Sequence, residues 1–283
     1  RETTQGGHPM MQAVRNYFGV VVILVWGLAP FYWMVVTALR NKDHTFDTTP
    51  WPTHVTLDNF GDALATDKGN DFLGAIGNSL LVGAVTTFLA VLVGVFTAYA
   101  IARLDFRAKG IVTGIVLAAS MFPGIALVTP LFQLFGDLGW IGTYRALIIP
   151  NISFALPLTI YTLVSFFRQL PWELEEAARV DGATRGQAFR LVLLPLAAPA
   201  LFTTAILAFI ATWNEFMLAK QLSSNATEPV TVAIARFSGP SAFEYPYAAI
   251  MAAGTLVTIP LVIMVLVFQR RIVAGLTAGG VKA

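Results

Sequence analysis

The sequence predicts an all-α membrane protein with six transmembrane helices and both termini in the cytoplasm. Three observations carry this. The 283 residues are 56% hydrophobic and only 12% charged, with a mean hydropathy of +0.70, whereas soluble domains average about 25% charged residues. Six stretches contain no Asp, Glu, Lys or Arg, namely 17–39, 72–101, 111–136, 146–167, 191–214 and 245–269, and each can cross a hydrocarbon core of about 30 Å as a helix. Of the 18 Lys and Arg residues, 12 fall in the alternate segments that hold the termini and six in the others, which by the positive-inside rule puts both termini inside.

Taken in order, the first stretch contains Pro30, is too long for a signal-peptide core and lacks a cleavage site, so it is expected to stay as a span. The chain starts at Arg1 without Met, so residues are expected to precede it. The outer segment 41–71 holds six Asp against two Lys. After its rigid Pro50-Trp51-Pro52 turn, the run VTLDNFGDAL predicts a short surface helix with Asp58 at the N-cap. The second span leads into a short basic loop, 102–110. In the third, Pro123, Gly124 and Pro130 of MFPGIALVTP either kink the helix or break it beside a translocation path. Pro150 and Pro157 in the fourth span and Pro260 in the sixth read as kinks whose freed carbonyls are satisfied by neighbours. The predicted layout is an N-terminal segment with the first span and outer loop over 1–71, a transmembrane core over 72–269 with an inner loop at 168–195, and a tail over 270–283.

Composition also excludes chemistry. Without cysteine there is no disulfide, thiolate ligand or thiol nucleophile. His8, His44 and His54 lie outside the predicted spans, so no histidine relay and no metal site is expected within the membrane. The motifs HExxH, GxSxG and GxxxxGK[ST] are missing, so neither a zinc protease, a hydrolase elbow nor a phosphate-cradling loop is encoded. An intramembrane enzyme is disfavoured, no nucleic acid is implied, and any ATP consumed is hydrolysed by another chain.

The inner loop reads RQLPWELEEAARVDGATRGQAFRLVLLP. Pro171 suits a first helical position, Glu173, Glu175 and Glu176 complement the dipole of the first turns, and Gly182 suits a C-terminal cap. Thr184 with Gln187 makes a capping box, so a second helix starts at once and runs through Leu191 into the next span. Leu174, Ala177, Ala178 and Asp181 share one side at helical spacing, with small residues that admit a close partner. Trp172, Glu175 and Arg179 point elsewhere, Trp172 as an interfacial anchor. On these residues alone the hairpin either covers the inner end of the bundle or docks a partner.

Glu215 follows 24 uncharged residues and sits about 24 Å from Pro199 at 1.5 Å per residue, in the outer half of the membrane. A buried charge there is costly, so Asn214 and Glu215 are expected to face the bundle interior. They form either a polar ring for solute hydroxyls, or a helix-end pair with Lys220 or a partner's basic residue, in which case Glu215→Leu would be harmless or stabilising. Trp213 reads as an interfacial anchor or a stacking platform. Asn78, Ser79, Asn151 and Ser153 are weaker candidates, because polar groups in spans more often bond across helices.

The series Glu176-Ala177-Ala178, Gly182, Val192, Leu194-Pro195 resembles, at the right spacing, the EAA motif of ABC-importer permeases, with Val192 where Ile is more usual. The segment WNEFMLA at 213–219 and the tail QRRIVAGLTAGGVKA resemble those of the second, six-span permease of maltose-type sugar importers, and a general similarity extends to actinobacterial trehalose and other disaccharide permeases. The resemblance implies a type I ABC-importer permease fold in the bacterial cell membrane. Its implied partners are a related permease, two ATPase subunits that carry the ATP and Mg, and an extracytoplasmic sugar-binding protein; no cofactor belongs to this chain. It implies that Leu174, Glu176, Ala177, Ala178, Asp181 and Gly182 couple to the ATPases. It also implies that the outer loop 222–244, with Phe237, Gly239, Pro240 and Phe243, touches the binding protein. The tail, with Gly275, Gly279 and Gly280, would run along the ATPases as an extended, narrow segment rather than a disordered end. A permease for a glycerophosphodiester or polyol is the nearest alternative. An ion-coupled transporter with Glu215 as proton carrier is the more distant one.

Overall fold

All six uncharged stretches are helical, and five of them are single rods. The computed structural model describes residues 9–65, 71–237 and 245–280. Among the described residues five helices are long and apolar enough to cross a membrane, Ala13–Ala38, Phe72–Arg103, Tyr144–Gln169, Arg185–Trp213 and Tyr247–Gln269, and the pair Lys109–Met121 and Gly124–Asp137, bent by 91°, makes a sixth when the pair is counted as one broken span. The break falls at Phe122-Pro123, where Phe122 is extended (φ −76°, ψ 128°), as the residue before a proline prefers. Pro30, Pro150, Pro157 and Pro260 instead stay within unbroken helices.

The chain forms two compact units, 1–68 with 237–259 and 69–236 with 260–283. In the first, α1 (Pro9–Ala38) exposes an apolar surface along most of its length, including Trp26 at 85%, as a helix does whose neighbours are lipid or other chains. Its end is anchored by the fully buried Arg40. The guanidinium donates to the carbonyls of Asp47 and Thr49 and lies 5.1 Å from the Trp33 ring centroid, which compensates the desolvation of a charge. Buried Asn59 on α2 (Asp58–Leu64) donates to the carbonyls of Ala38 and Arg40 at 2.9 and 2.6 Å. The predicted surface helix is therefore present, but Asp58 is its first residue rather than its cap, and Thr56 Oγ1 accepts its N–H at 3.1 Å. In the same loop the Thr53 hydroxyl and, secondarily, His44 hold the Asp47 carboxyl below the usual range. At the start of α12 (Tyr247–Gly280), a Cβ on Gly254 would meet Met34 Sδ at 3.0 Å.

In the second unit, α3 (Phe72–Arg103), α6 (Tyr144–Gln169) and the later α9 (Leu194–Trp213) pack on one another. Small residues meet midway, where Ala90, Ala155 and Ala208 cluster. A Cβ on Gly94 would lie 2.5 Å from Thr159 Cγ2, and one on Gly83 would lie 2.7 Å from Phe209 Cε2. Spans in lipid gain most from such close backbone approach. The end rich in arginine is sealed by Ala98, Ile101, Leu163, Phe167, Phe189 and Leu193. The opposite end is sealed by Val82, Leu147, Leu218, Leu222 and Val232, with Phe135 of α5 (Val128–Asp137), which follows α4 (Lys109–Met121) across the break.

Candidate functional site

The second unit carries two candidate sites, one at each end. At the arginine-rich end, α6 stops before Pro171, and the Trp172 carbonyl accepts from the N–H groups of Glu175 and Glu176 at 3.0 and 3.2 Å to open α7 (Glu173–Val180). Pro171 thus precedes the cap instead of starting the helix. At the far end Gly182 adopts φ +90°. Its N–H reaches Arg179 O at 3.1 Å, and Ala183 N–H reaches Ala178 O at 3.0 Å, the paired bonds of a Schellman cap. Thr184 then caps α8 (Arg185–Ala188): its hydroxyl accepts from Gln187 N–H, and Gln187 Oε1 accepts from Thr184 N–H. The predicted helix, glycine turn and capping box are all present. One feature the sequence reading missed is a π-helical turn over Phe189–Leu193, in which Leu194 N–H reaches back to Phe189 O. A widened turn just before Pro195 accommodates a residue that lacks an N–H and would clash with a regular preceding turn.

Glu176, Ala177, Asp181 and Gly182 are exposed, as is Val180 at 87%, while Leu174 and Ala178 are half-buried. The predicted single face is therefore split. Glu175, expected to point away from that side, does so and is buried, where its Oε1 accepts from the Tyr99 hydroxyl at 3.1 Å. Trp172 lies under the Arg103 guanidinium, 4.5 Å from Cζ to the ring centroid. Tyr99 and Arg103, one turn apart on α3, went unnoticed in the sequence because only their partners give them meaning.

At the other end the broken span opens a cavity of about 300 Å³. Gly124, Ile125 and Val128 line it from the break, Asn151, Phe154 and Ala155 from α6, Ala211 and Thr212 from α9, and Glu215, Met217 and Leu218 from the turn into α10 (Met217–Leu222). The volume is at the lower edge of small-molecule sites, and the mixture of apolar walls with a few polar groups is typical of them. MFPGIALVTP therefore breaks, and the broken segment lines this cavity.

Of the predicted pathway residues, Asn151 and Glu215 line this cavity, whereas Asn78, Trp213 and Asn214 do not. The Glu215 carboxylate is committed to the backbone: Oε1 accepts from Leu218 N–H at 2.8 Å and Oε2 from Ala219 N–H at 2.9 Å, capping α10. Asn214 is exposed and donates to Ile210 O at 2.8 Å, so the expectation that it faces inward fails; it closes α9 as a C-cap. Trp213 is 2% exposed and stacked on Phe209 at 5.6 Å, so it is core rather than an interfacial anchor. Asn78 donates to Ala226 O and Glu228 O at 3.2 and 3.0 Å and accepts from the Tyr144 hydroxyl at 2.7 Å. Ser79 Oγ accepts from Val230 N–H at 2.9 Å. These two residues pin the outer loop, which contains a helix the sequence did not suggest, α11 (Val230–Ala235). Thr231 donates to Glu215 O at 2.8 Å. Burial pushes the Glu228 carboxyl up, opposed by Arg236 at 2.5 Å.

Phe237 is half-buried, and Gly239, Pro240 and Phe243 lie outside the described residues. The tail differs from expectation: α12 continues to Gly280, so Gly275, Gly279 and Gly280 are helical rather than extended. Each glycine costs only about 1 kcal/mol in a helix interior, and extending an existing helix needs no new nucleus.

Residues 90–277 match the family described as binding-protein-dependent transport system inner membrane component. The chain is 48% identical over 270 residues to the trehalose transport system permease protein SugB of Mycobacterium tuberculosis, covering 94% of this chain and 97% of the relative. It is 41% identical over 275 residues to the trehalose/maltose transport system permease protein MalG of Thermococcus litoralis, covering 96% and 98%. In fold it resembles a chain of a bacterial ABC transporter involved in the import of the acidic polysaccharide alginate, with TM-score 0.77 at 20% identity, over 95% of this chain and 98% of that one. The chain belongs to the inner membrane components of binding-protein-dependent transport systems, as a multi-span permease subunit of the maltose-type carbohydrate branch.

Proposed function

We propose that this chain forms one wall of the path through which an ATP-driven importer passes a disaccharide of the trehalose or maltose kind. The observation that carries the proposal is the hairpin. It is doubly capped, packed on the bundle by Glu175, and leaves Glu176, Ala177, Val180 and Asp181 open to a partner. A capped lever passes on rigid-body movement, whereas a loose loop absorbs it. The arginine-rich end and both termini are taken as cytoplasmic. There two ATPase subunits holding ATP and Mg dock on Leu174, Glu176, Ala177, Ala178, Asp181 and Gly182, and the helical tail with Gly275, Gly279 and Gly280 adds a second contact. A related permease completes the path. A binding protein meets the outer loop at Phe237, Gly239, Pro240 and Phe243. The chain itself performs no catalysis and holds no cofactor.

The sugar assignment rests on the near full-length similarity to trehalose permeases. Competition tests it. In proteoliposomes with the partner subunits, uptake of radiolabelled trehalose should be suppressed by excess unlabelled trehalose or maltose and untouched by a glycerophosphodiester or a polyol. The reverse pattern would reassign the solute. The ion-coupled alternative loses support because both Glu215 carboxylate oxygens are occupied by backbone amides.

A further inference from the structure

Beneath the hairpin, the turn from α6 to α7 is gripped by two residues of α3. Arg103, 6% exposed, donates from Nη2 to Leu170 O at 2.7 Å and covers the Trp172 ring. Tyr99, one turn earlier on the same face, donates to buried Glu175. The contacts lie on both sides of Pro171, so α7 and the end of α3 are joined through a polar contact rather than a slippery apolar one. The contact is also incomplete. Among the described residues Arg103 Nε and Nη1 and Glu175 Oε2 are buried with no hydrogen-bond partner. Buried ionisable groups with unmade bonds are costly, and a small shift that changes their pairing changes the energy steeply, whereas an apolar contact responds weakly.

We infer that Tyr99, Arg103 and Glu175 are positioning residues that transmit movement of the hairpin to α3. The inference rests on the hairpin being the ATPase dock, and adds the joint through which the dock acts on a span. Glu175 turns inward from the helix whose other side carries Glu176 and Ala177, so one short helix faces the partner and the span at once. If Glu175 served only to hold the fold, replacing it together with the Tyr99 hydroxyl, as Tyr99→Phe with Glu175→Leu, would be nearly neutral, since removing both partners of a buried polar contact leaves neither unpaired. If it transmits, the same replacement leaves a stable but uncoupled protein.

The test uses the complete transporter, with its second permease, ATPases and binding protein, carrying Tyr99→Phe alone or Tyr99→Phe together with Glu175→Leu. Each variant should retain ATPase association and a thermal midpoint close to that of the unaltered transporter. Stimulation of ATP hydrolysis by the binding protein should nevertheless fall about fivefold or more, the low end of a working coupling. Hydrogen exchange read with a non-hydrolysable ATP analogue supplies the second readout. In the unaltered complex the analogue should change exchange in both α7 and residues 97–103; in either variant it should change α7 alone. Tyr99→Phe removes one hydroxyl and keeps the ring, which guards against a folding defect in the double variant. The inference is overturned if residues 97–103 still respond in both variants, or if stimulation falls only in step with lost ATPase association. Failure of the dock reading looks different: α7 would not respond to the analogue even in the unaltered complex, and Glu176→Lys would leave ATPase association intact.

Discussion

Replacing Gly182 by valine should leave the protein inserted and folded while reducing sugar uptake at least about fivefold, and as far as roughly 150-fold. The range follows from the backbone. Gly182 sits at φ +90°, where a residue bearing a Cβ is strained by about 1–3 kcal/mol and a β-branched one most of all. No neighbour lies within 4 Å of an added Cβ, so the penalty is purely conformational. It falls on the turn that sets the angle between α7 and α8. Asparagine, which tolerates positive φ better than valine, should give an intermediate loss. Uptake and ATPase pull-down measured together separate the cases, and a valine variant with normal values of both would show that the hairpin angle is irrelevant to coupling.

Glu215→Leu should lower the thermal midpoint markedly and impair transport, with Glu215→Gln falling between it and the native protein. The carboxylate satisfies the N–H groups of Leu218 and Ala219, which are 4% and 2% exposed. Leucine would leave both donors buried and unpaired at about 1–3 kcal/mol each, and charge-assisted bonds lie at the strong end of such interactions. Glutamine keeps one side-chain acceptor. Expectation from sequence, that leucine is harmless if the acid is merely a burden, is reversed. Differential scanning fluorimetry decides between them: a midpoint unchanged or raised in Glu215→Leu would mean the cap contributes nothing.

Signals confined to a few neighbouring residues are legible in the sequence. The spans follow from uncharged runs, and the hairpin from Gly182, Thr184 and Gln187, whose capping roles are set within one turn. The proline break was readable as one of two outcomes, because the cost of Pro123 depends on whether neighbours can satisfy the freed carbonyls. What failed to show was pairing at a distance. Asn78 bonds to residues about 150 positions away, and nothing near it announces that. Trp213 at a span end reads as an anchor until Phe209 and the surrounding core bury it. Glu215 was legible as an inward-facing acid, and it lines the cavity, but its hold on the backbone was not: α10 has only six residues, too few for a periodic signature, so the amides it caps were invisible. Helical spacing set Glu175 apart from the side of Ala177 and Ala178 without saying what it meets, and only the Tyr99 hydroxyl shows why the buried side of α7 carries a carboxylate.

The central claim is that transport through this chain is driven by nucleotide hydrolysis on partner subunits and relayed by the hairpin. The direct measurement is uptake of radiolabelled trehalose into proteoliposomes holding the complete complex, with binding protein outside and ATP enclosed. Uptake should persist when ionophores collapse every ion gradient, and stop when the enclosed ATP is replaced by a non-hydrolysable analogue. Uptake that survives loss of ATP and disappears with the ion gradient would contradict the account.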